Sequence, residues 1–181
     1  MRLFIAANLS EEVKEYLTNI QEQIKEKVHE EDKLMIVAKD QMHLTLKFLD
    51  EVQPDKAKKI KELLNEIEFK PFSSNLNGLG FFPTEKYIRV VWVGLSQEEK
   101  IIALQETIEE KLKKLFKKDK DFRPHLTLAR IKFIKDPELF INKLKNIKIE
   151  NKAVNIDSFT LMKSTLTSNG VIYDELQSFS R

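Results

Sequence analysis

Apolar positions along this chain switch between the two periods of strand and helix, predicting elements of both kinds interleaved from end to end. Arg2 to Leu9 is an apolar run of strand length. Val13, Leu17, Ile20, Ile24 and Val28 then recur at helical spacing behind Ser10, a capping residue, and behind Glu11 and Glu12, which favour a helix's positive end. Leu34 to Ala38 and Met42 to Leu49 are expected as strands, and Pro54 opens a second helix with Ala57, Ile60, Leu63, Leu64 and Ile67 inward. Further strands are expected at Phe72 to Leu79 and Tyr87 to Val93. Ser96 and Glu99 have the spacing of a capping box for a third helix, whose apolar stripe is Ile101, Leu104, Ile108, Leu112 and Leu115. A strand at His125 to Ile131, a short helix from Asp136 and Pro137 to about Leu144, and strands near Lys148 to Val154 and Ile156 to Met162 complete the series. Asn169-Gly170, between Thr165 and Val171-Ile172-Tyr173, has the composition of a hairpin turn.

The 181 residues suffice for one domain with a sizeable core, or for two small lobes sharing one. No Pro/Gly/Ser linker or low-complexity tract divides them, so residues 1–181 are expected to form a single body. Charged residues make up 33% of the chain, yet the net charge is only +2, so any binding of a polyanion has to be local. Cysteine is absent, which excludes disulfides and thiolate nucleophiles and suits a reducing compartment; the cytoplasm is the expectation. Glu11 and Glu12 follow the first apolar run at once, unlike the pattern of a signal peptide, and no apolar stretch approaches a membrane span.

His-Leu-Thr-Leu occurs twice, at His43 to Leu46 and at His125 to Leu128, 82 positions apart. The chain has 3 histidines, and two of them carry the same three followers. With positions independent, chance recurrence is on the order of one in a thousand, and a spacing near half the chain points to two related halves. Side chains alternate along a strand, so His43 and Thr45 share one face while Leu44 and Leu46 share the other. His125 and Thr127 repeat the arrangement. The leucines then enter the core, and a pseudo-twofold axis between the halves would bring the two imidazoles together across a cleft.

Histidine ionises near pH 6.5, so one imidazole can act as base and the other as acid at neutral pH. Hydrolysis of a phosphodiester needs both roles, on opposite sides of phosphorus. A threonine hydroxyl can donate to a non-bridging phosphate oxygen, and arginine suits phosphate through its planar fork. Arg123 and Arg130 bracket the second motif, placing two of the five arginines beside it. Arg130 lies five positions after His125, so an unbroken strand would point it away from the histidine; a bulge or a strand end is required to bring it back.

On these residues the sequence resembles the two-histidine phosphoesterase superfamily, in particular its RNA 2′,3′-cyclic phosphodiesterases, also described as 2′-5′ RNA ligases. The likeness runs through Arg2-Leu3-Phe4-Ile5-Ala6, His43 to Leu49, Leu76-Asn77-Gly78-Leu79-Gly80-Phe81-Phe82-Pro83, Arg89-Val90-Val91-Trp92, Phe122 to Arg130 and Ser164 to Tyr173. It implies an α+β fold of two pseudo-symmetric lobes, with antiparallel sheets facing a central cleft and helices packed outside. It further implies metal-independent, cofactor-free hydrolysis of RNA 2′,3′-cyclic phosphate ends to 2′-phosphates, with a weak reverse 2′-5′ ligation. His43 would be proton donor, His125 proton acceptor, and Thr45, Thr127 and Arg130 would hold the phosphate. The expected partner is RNA with such an end, tRNA fragments included, acted on by a monomer away from membranes. Asp50 departs from the pattern, standing where the family commonly has glycine.

Other readings stay open on the sequence. They are a sister activity on 2′-5′ oligonucleotides or an ADP-ribose cyclic phosphate, an RNA-end binding module whose histidines only touch phosphate, and a metal site of His43 and His125 completed by Asp40 or Asp50. Either histidine alone would more often be structural, and His29, amid Glu30 and Glu31, is expected to be solvated. The basic stretch Lys111 to Lys120 could guide an RNA backbone, although a solvated helix face is the plainer expectation. Phe4, Phe48, Phe81 and Trp92 are expected in the core rather than under a base, Phe48 opposite His43 if the strand is regular.

Overall fold

The computed structural model describes residues 1–168 and 170–180. Asn169, half of the expected turn signal, lies outside the described residues. In chain order the elements are β1 (Arg2–Asn8), α1 (Glu11–Lys25), β2 (Lys33–Ile36), a 3-10 turn (Lys39–Gln41), β3 (His43–Glu51), α2 (Pro54–Asn65), β4 (Phe72–Thr84) and β5 (Tyr87–Ser96). They continue with α3 (Glu98–Leu112), β6 (His125–Phe133), α4 (Pro137–Leu144), β7 (Ala153–Ile156), β8 (Ser158–Thr167) and β9 (Gly170–Ser180).

The strands form one antiparallel sheet in the order β7-β4-β5-β6-β3-β1-β8-β9, with β2 alongside β6. At its centre β3 and β6 meet through the single pair Leu44 and Leu126. Four strands lie on either side, β3-β1-β8-β9 and β6-β5-β4-β7, so the sheet has two matching halves. The chain crosses between them: β4 follows α2 but pairs with β5, and β8 follows β7 but pairs with β1. This is the α+β, two-lobed arrangement expected. Leu44, Leu46, Leu126 and Leu128 are each no more than 1% exposed, contributing about 1.5–3 kcal/mol apiece. They fix which face of each motif strand is left over.

Helix ends follow local chemistry in two cases. Ser10 Oγ accepts from Val13 N at 3.3 Å, and Asp136 caps α4 by accepting from Leu139 N at 2.9 Å. The capping box expected of Ser96 and Glu99 does not form. Ser96 belongs to β5, where its carbonyl accepts from Ser74 Oγ and its hydroxyl donates to Asn75 O. Gln97 is the N-cap of α3, in the left-handed region at φ 53°, without a side-chain bond. Sheet pairing outcompetes the local cap. β2 stops at Ile36, where Val37 N turns to Leu128 O at 2.9 Å, and the expected strand from Lys148 starts only at Ala153. Val28 and Leu115 pack on the core from beyond their helices.

Both motif strands are bulged at the same place. In β6 the partners of Val91 and Trp92 are Ala129 and Thr127, which leaves Leu128 as the extra residue. In β3 the partners of Ile5 and Ala6 are Lys47 and Thr45, which leaves Leu46. The carbonyl of Leu128 is held by Val37 N and, at 2.8 Å, by the buried Gln21 of α1. A second irregularity follows at Leu49, and Asp50 beyond it has φ 52°. Glycine adopts that conformation freely and aspartate tolerates it, which accounts for both the family's residue and its substitute here.

Candidate active site

The bulges decide what faces the cleft. Beyond a bulge the alternation of side chains shifts by one, so Arg130 returns to the face of His125 and Thr127, and Phe48 to the face of His43 and Thr45. The sequence expectation for Phe48 assumed a regular strand and is corrected: its side chain is 61% exposed, and its ring lies 6.3 Å from that of Phe4, which in turn lies 4.9 Å from the His43 ring. Around the single pair Leu44 and Leu126, antiparallel counting sets His43 opposite Thr127 and Thr45 opposite His125. The two histidines are thus diagonal neighbours, on the order of 7–8 Å apart across the strands and somewhat closer at Cβ.

Each imidazole is oriented in the same way. His43 Nδ1 lies 2.7 Å from Gln41 O, and His125 Nδ1 lies 2.8 Å from Arg123 O. A carbonyl can only accept, so Nδ1 carries the hydrogen and Nε2 of the neutral ring is left with its lone pair. Thr45 Oγ1 lies 2.9 Å from His43 Nε2 and donates to it in that state. Aromatic rings wall both sites. His43 packs against Phe4 and, edge-on at 5.4 Å, Tyr173; His125 packs against Phe82, edge-on at 4.9 Å, and Trp92 at 6.0 Å. Gly80 makes room for this wall, because a Cβ there would overlap the Trp92 ring.

Burial behind these rings holds the His43 imidazole well below its ordinary value, to about 4, and the positive charges of Arg130 and, when protonated, His125 push the same way. His125 is lowered too, first by burial and then by Arg130 and Arg123. Both rings are therefore neutral near pH 7 until an anion arrives between them. The Arg130 charge lowers both histidines, as expected of a cation on the face to which the bulge returns it.

Among the described residues no three His, Cys, Asp or Glu side chains cluster as a metal would require, so neither Asp40 nor Asp50 completes a set with the histidines. His29 is exposed and interacts locally, its backbone N–H donating to Asp32 at 2.8 Å. In the basic stretch, Lys111 pairs with Glu66, Lys113 with Glu110 and Lys118 with Glu106. Most of that stretch lies beyond α3 rather than on a helix face.

Sequence reasoning missed a buried ionic group beside the site. Lys47, 2% exposed, places Nζ 2.8 Å from Glu109 Oε1, 3.3 Å from Asp119 Oδ1 and 3.1 Å from Lys117 O. Gln105 Nε2 and Asp119 N donate to the same Glu109 oxygen. The cluster ties α3 and the segment leading to Arg123 onto β3. Its sequence signal was faint, a lysine at a position that the bulge turns inward.

The family described as LigT like Phosphoesterase matches this chain twice, over residues 8–92 and 93–173. A Methanocaldococcus jannaschii protein named RNA 2′,3′-cyclic phosphodiesterase is 36% identical over 180 residues, covering 98% of this chain and 99% of its own length. An Archaeoglobus fulgidus protein of the same name is also 36% identical, with 99% of each chain covered. Among solved structures, Escherichia coli LigT complexed with 3′-AMP superposes with a TM-score of 0.78 at 26% identity, covering 99% of this chain and 97% of that one. A Thermus thermophilus protein superposes at 0.77 with 28% identity, covering 99% and 97%.

Proposed function

Since this chain belongs to the LigT like Phosphoesterase family, we propose that it hydrolyses the 2′,3′-cyclic phosphate at an RNA end to a 2′-phosphomonoester, with His43 as proton donor and His125 as proton acceptor. The observation that carries the reading is the pair of imidazoles, each fixed through Nδ1 to a backbone carbonyl so that Nε2 keeps its lone pair, which at His43 meets only the hydroxyl of Thr45. The names of relatives matched along their whole length supply the substrate.

A cyclic phosphate entering between the rings brings negative charge next to His43, offsets the repulsion by Arg130, and draws a proton onto Nε2. A water oxygen then attacks phosphorus while His125 Nε2 takes its proton. The bond from phosphorus to the 3′ oxygen breaks on the opposite side, and His43 Nε2–H protonates that oxygen. One water is consumed, a 2′-phosphate and a 3′-hydroxyl result, and the two rings exchange protonation states, to be reset by solvent. Thr45 and Thr127 donate to the non-bridging oxygens and Arg130 balances their charge as the five-coordinate phosphorus forms. Every proton transfer is assigned to a side chain of this chain, with no metal or cofactor invoked. When the 5′-hydroxyl of a second RNA replaces water, the same steps join it to the cyclic phosphate through a 2′-5′ bond.

The reading extends to tRNA fragments as substrates and to a monomeric, cytoplasmic enzyme. Among the described residues no helix is long and apolar enough to cross a membrane. The decisive experiment incubates the protein in EDTA with a short oligoribonucleotide ending in a 2′,3′-cyclic phosphate. Conversion to the 2′-phosphate, with His43→Ala and His125→Ala each losing roughly 10²–10⁴ in kcat while staying folded, supports it. Tight binding of that end with no turnover identifies a binding module instead.

A further inference from the structure

The two motif strands have the same length and the same order of buried and exposed positions. They differ in what they present to solvent. Counted from their histidines, Phe48 corresponds to Arg130, Asp50 to Lys132 and Glu51 to Phe133. The first strand therefore ends in two carboxylates, one of them 3.2 Å from the terminal ammonium of Met1. The second ends in two cations and an aromatic ring. A polyanion leaving the cleft is attracted over the second half.

The attracting half also offers exposed flat and apolar surface. Met35 of β2 is the partner of Arg130, and Lys33 that of Phe133, so all four share the face of the sheet that carries the catalytic pair. On β5, Ile88 turns into the core and Tyr87 beside it turns to this face. Arg89 sits at a bulge with its guanidinium 4.5 Å over the Tyr87 ring, and donates to Lys132 O at 3.3 Å. Tyr87, Phe133 and Met35 are 55%, 51% and 49% exposed, with none of them packed as a core residue would be. From His125 to Phe133 the strip runs about 26 Å along β6, more than one nucleotide occupies.

We infer that this face is a track for single-stranded RNA, so that the enzyme holds the nucleotides preceding the cyclic end as well as the end itself. The inference rests on the RNA reading above and deepens it. Backbone phosphates lie along Arg89, Lys132 and Lys33, and bases stack on Tyr87 and Phe133, the combination of cations and rings that binds single strands without regard to sequence.

The test compares two substrates, 2′,3′-cyclic AMP and an eight-residue oligoribonucleotide with a cyclic phosphate end. The wild type is expected to prefer the oligonucleotide in kcat/KM. Tyr87→Ala/Lys132→Glu should lower that preference about ten-fold while leaving the mononucleotide rate unchanged, and Lys33→Glu/Lys132→Glu should flatten the salt dependence of oligonucleotide turnover. Fluorescence anisotropy with the same oligonucleotide carrying a 2′-phosphate reads the track without turnover, and the first variant should bind it about ten-fold more weakly. An unchanged preference and unchanged binding in both variants would overturn the track. A wild type that turns over neither substrate would sink the catalytic reading alone, leaving the binding measurement to decide the track.

Discussion

The low ionisation point of His43 is a statement about stability as well as catalysis. The folded protein holds this imidazole at about 4, against 6.5 for an unhindered one. Below pH 6.5 the unfolded chain takes up a proton that the native state refuses until pH 4, so stability from this group is full above 6.5 and drains away as pH falls through that window. At about 1.36 kcal/mol per unit, the 2.5 units between the two values amount to about 3 kcal/mol lost between pH 7 and pH 4. Replacing His43 with Gln removes the titration. Urea unfolding of both proteins at pH 7, 6, 5 and 4, read as midpoint times slope, gives two stability curves. The effects of carboxylates are common to both and cancel in the difference, and His125 enters it only through its repulsion of a protonated His43. The His43→Gln curve should fall less than the wild-type curve by about 3 kcal/mol over this range, whatever its starting point. Parallel curves would mean that His43 titrates normally in the folded protein and that the buried, ring-walled environment described for it is wrong.

Catalysis should carry the same signature, since kcat/KM reports the free enzyme: its bell should peak on the acid side of neutrality, between about pH 4 and 6.5, with the kcat profile shifted upward once bound phosphate raises His43. Coincident profiles centred above pH 7 would contradict this. Gly80→Ala should push the Trp92 ring toward His125, costing about 1–3 kcal/mol and shifting the emission of the chain's 1 tryptophan; wild-type fluorescence and activity would show that the wall has slack. Lys47→Met should cost about 3–5 kcal/mol by stranding Glu109, and Lys47→Met/Glu109→Leu should recover most of it, both measured by urea denaturation. Ser10→Ala should cost about 1 kcal/mol in thermal or urea unfolding as a lost helix cap, whereas Ser96→Ala should leave α3 intact by circular dichroism and show no cap penalty.

The contrast between Ser10 and Ser96 marks the limit of what local pattern conveys. Both precede acidic residues and an apolar stripe, yet Ser96 is claimed by its neighbours in the sheet, Ser74 and Asn75, which lie more than twenty positions away. The candidate cluster was legible because its information is repeated within the chain: identical tetrapeptides, with leucines that have one buried face to choose, leave the histidines and threonines a single direction. The bulge that brings Arg130 back to them is written elsewhere, in Gln21 and Val37, whose N–H groups take up the Leu128 carbonyl.

That distant signal was nevertheless present in the duplication. Gln21 stands between Ile20 and Ile24 in the buried stripe of α1, and Gln105 stands between Leu104 and Ile108 in the stripe of α3, each 2% exposed. A buried glutamine at the same place in both helices implies that something polar lies against each stripe, and what lies there is the bulged motif strand of the other half of the chain. In one half the glutamine holds the bulge carbonyl directly; in the other it bonds Glu109, which holds Lys47 just past the bulge. Two unlike polar contacts thus support the same backbone irregularity. The bulge is the common requirement because it returns Arg130 to the face of His125 and Thr127 in one strand and turns Phe48 out beside Phe4 in the other, and a pair of regular strands would have given that face two histidines without Arg130.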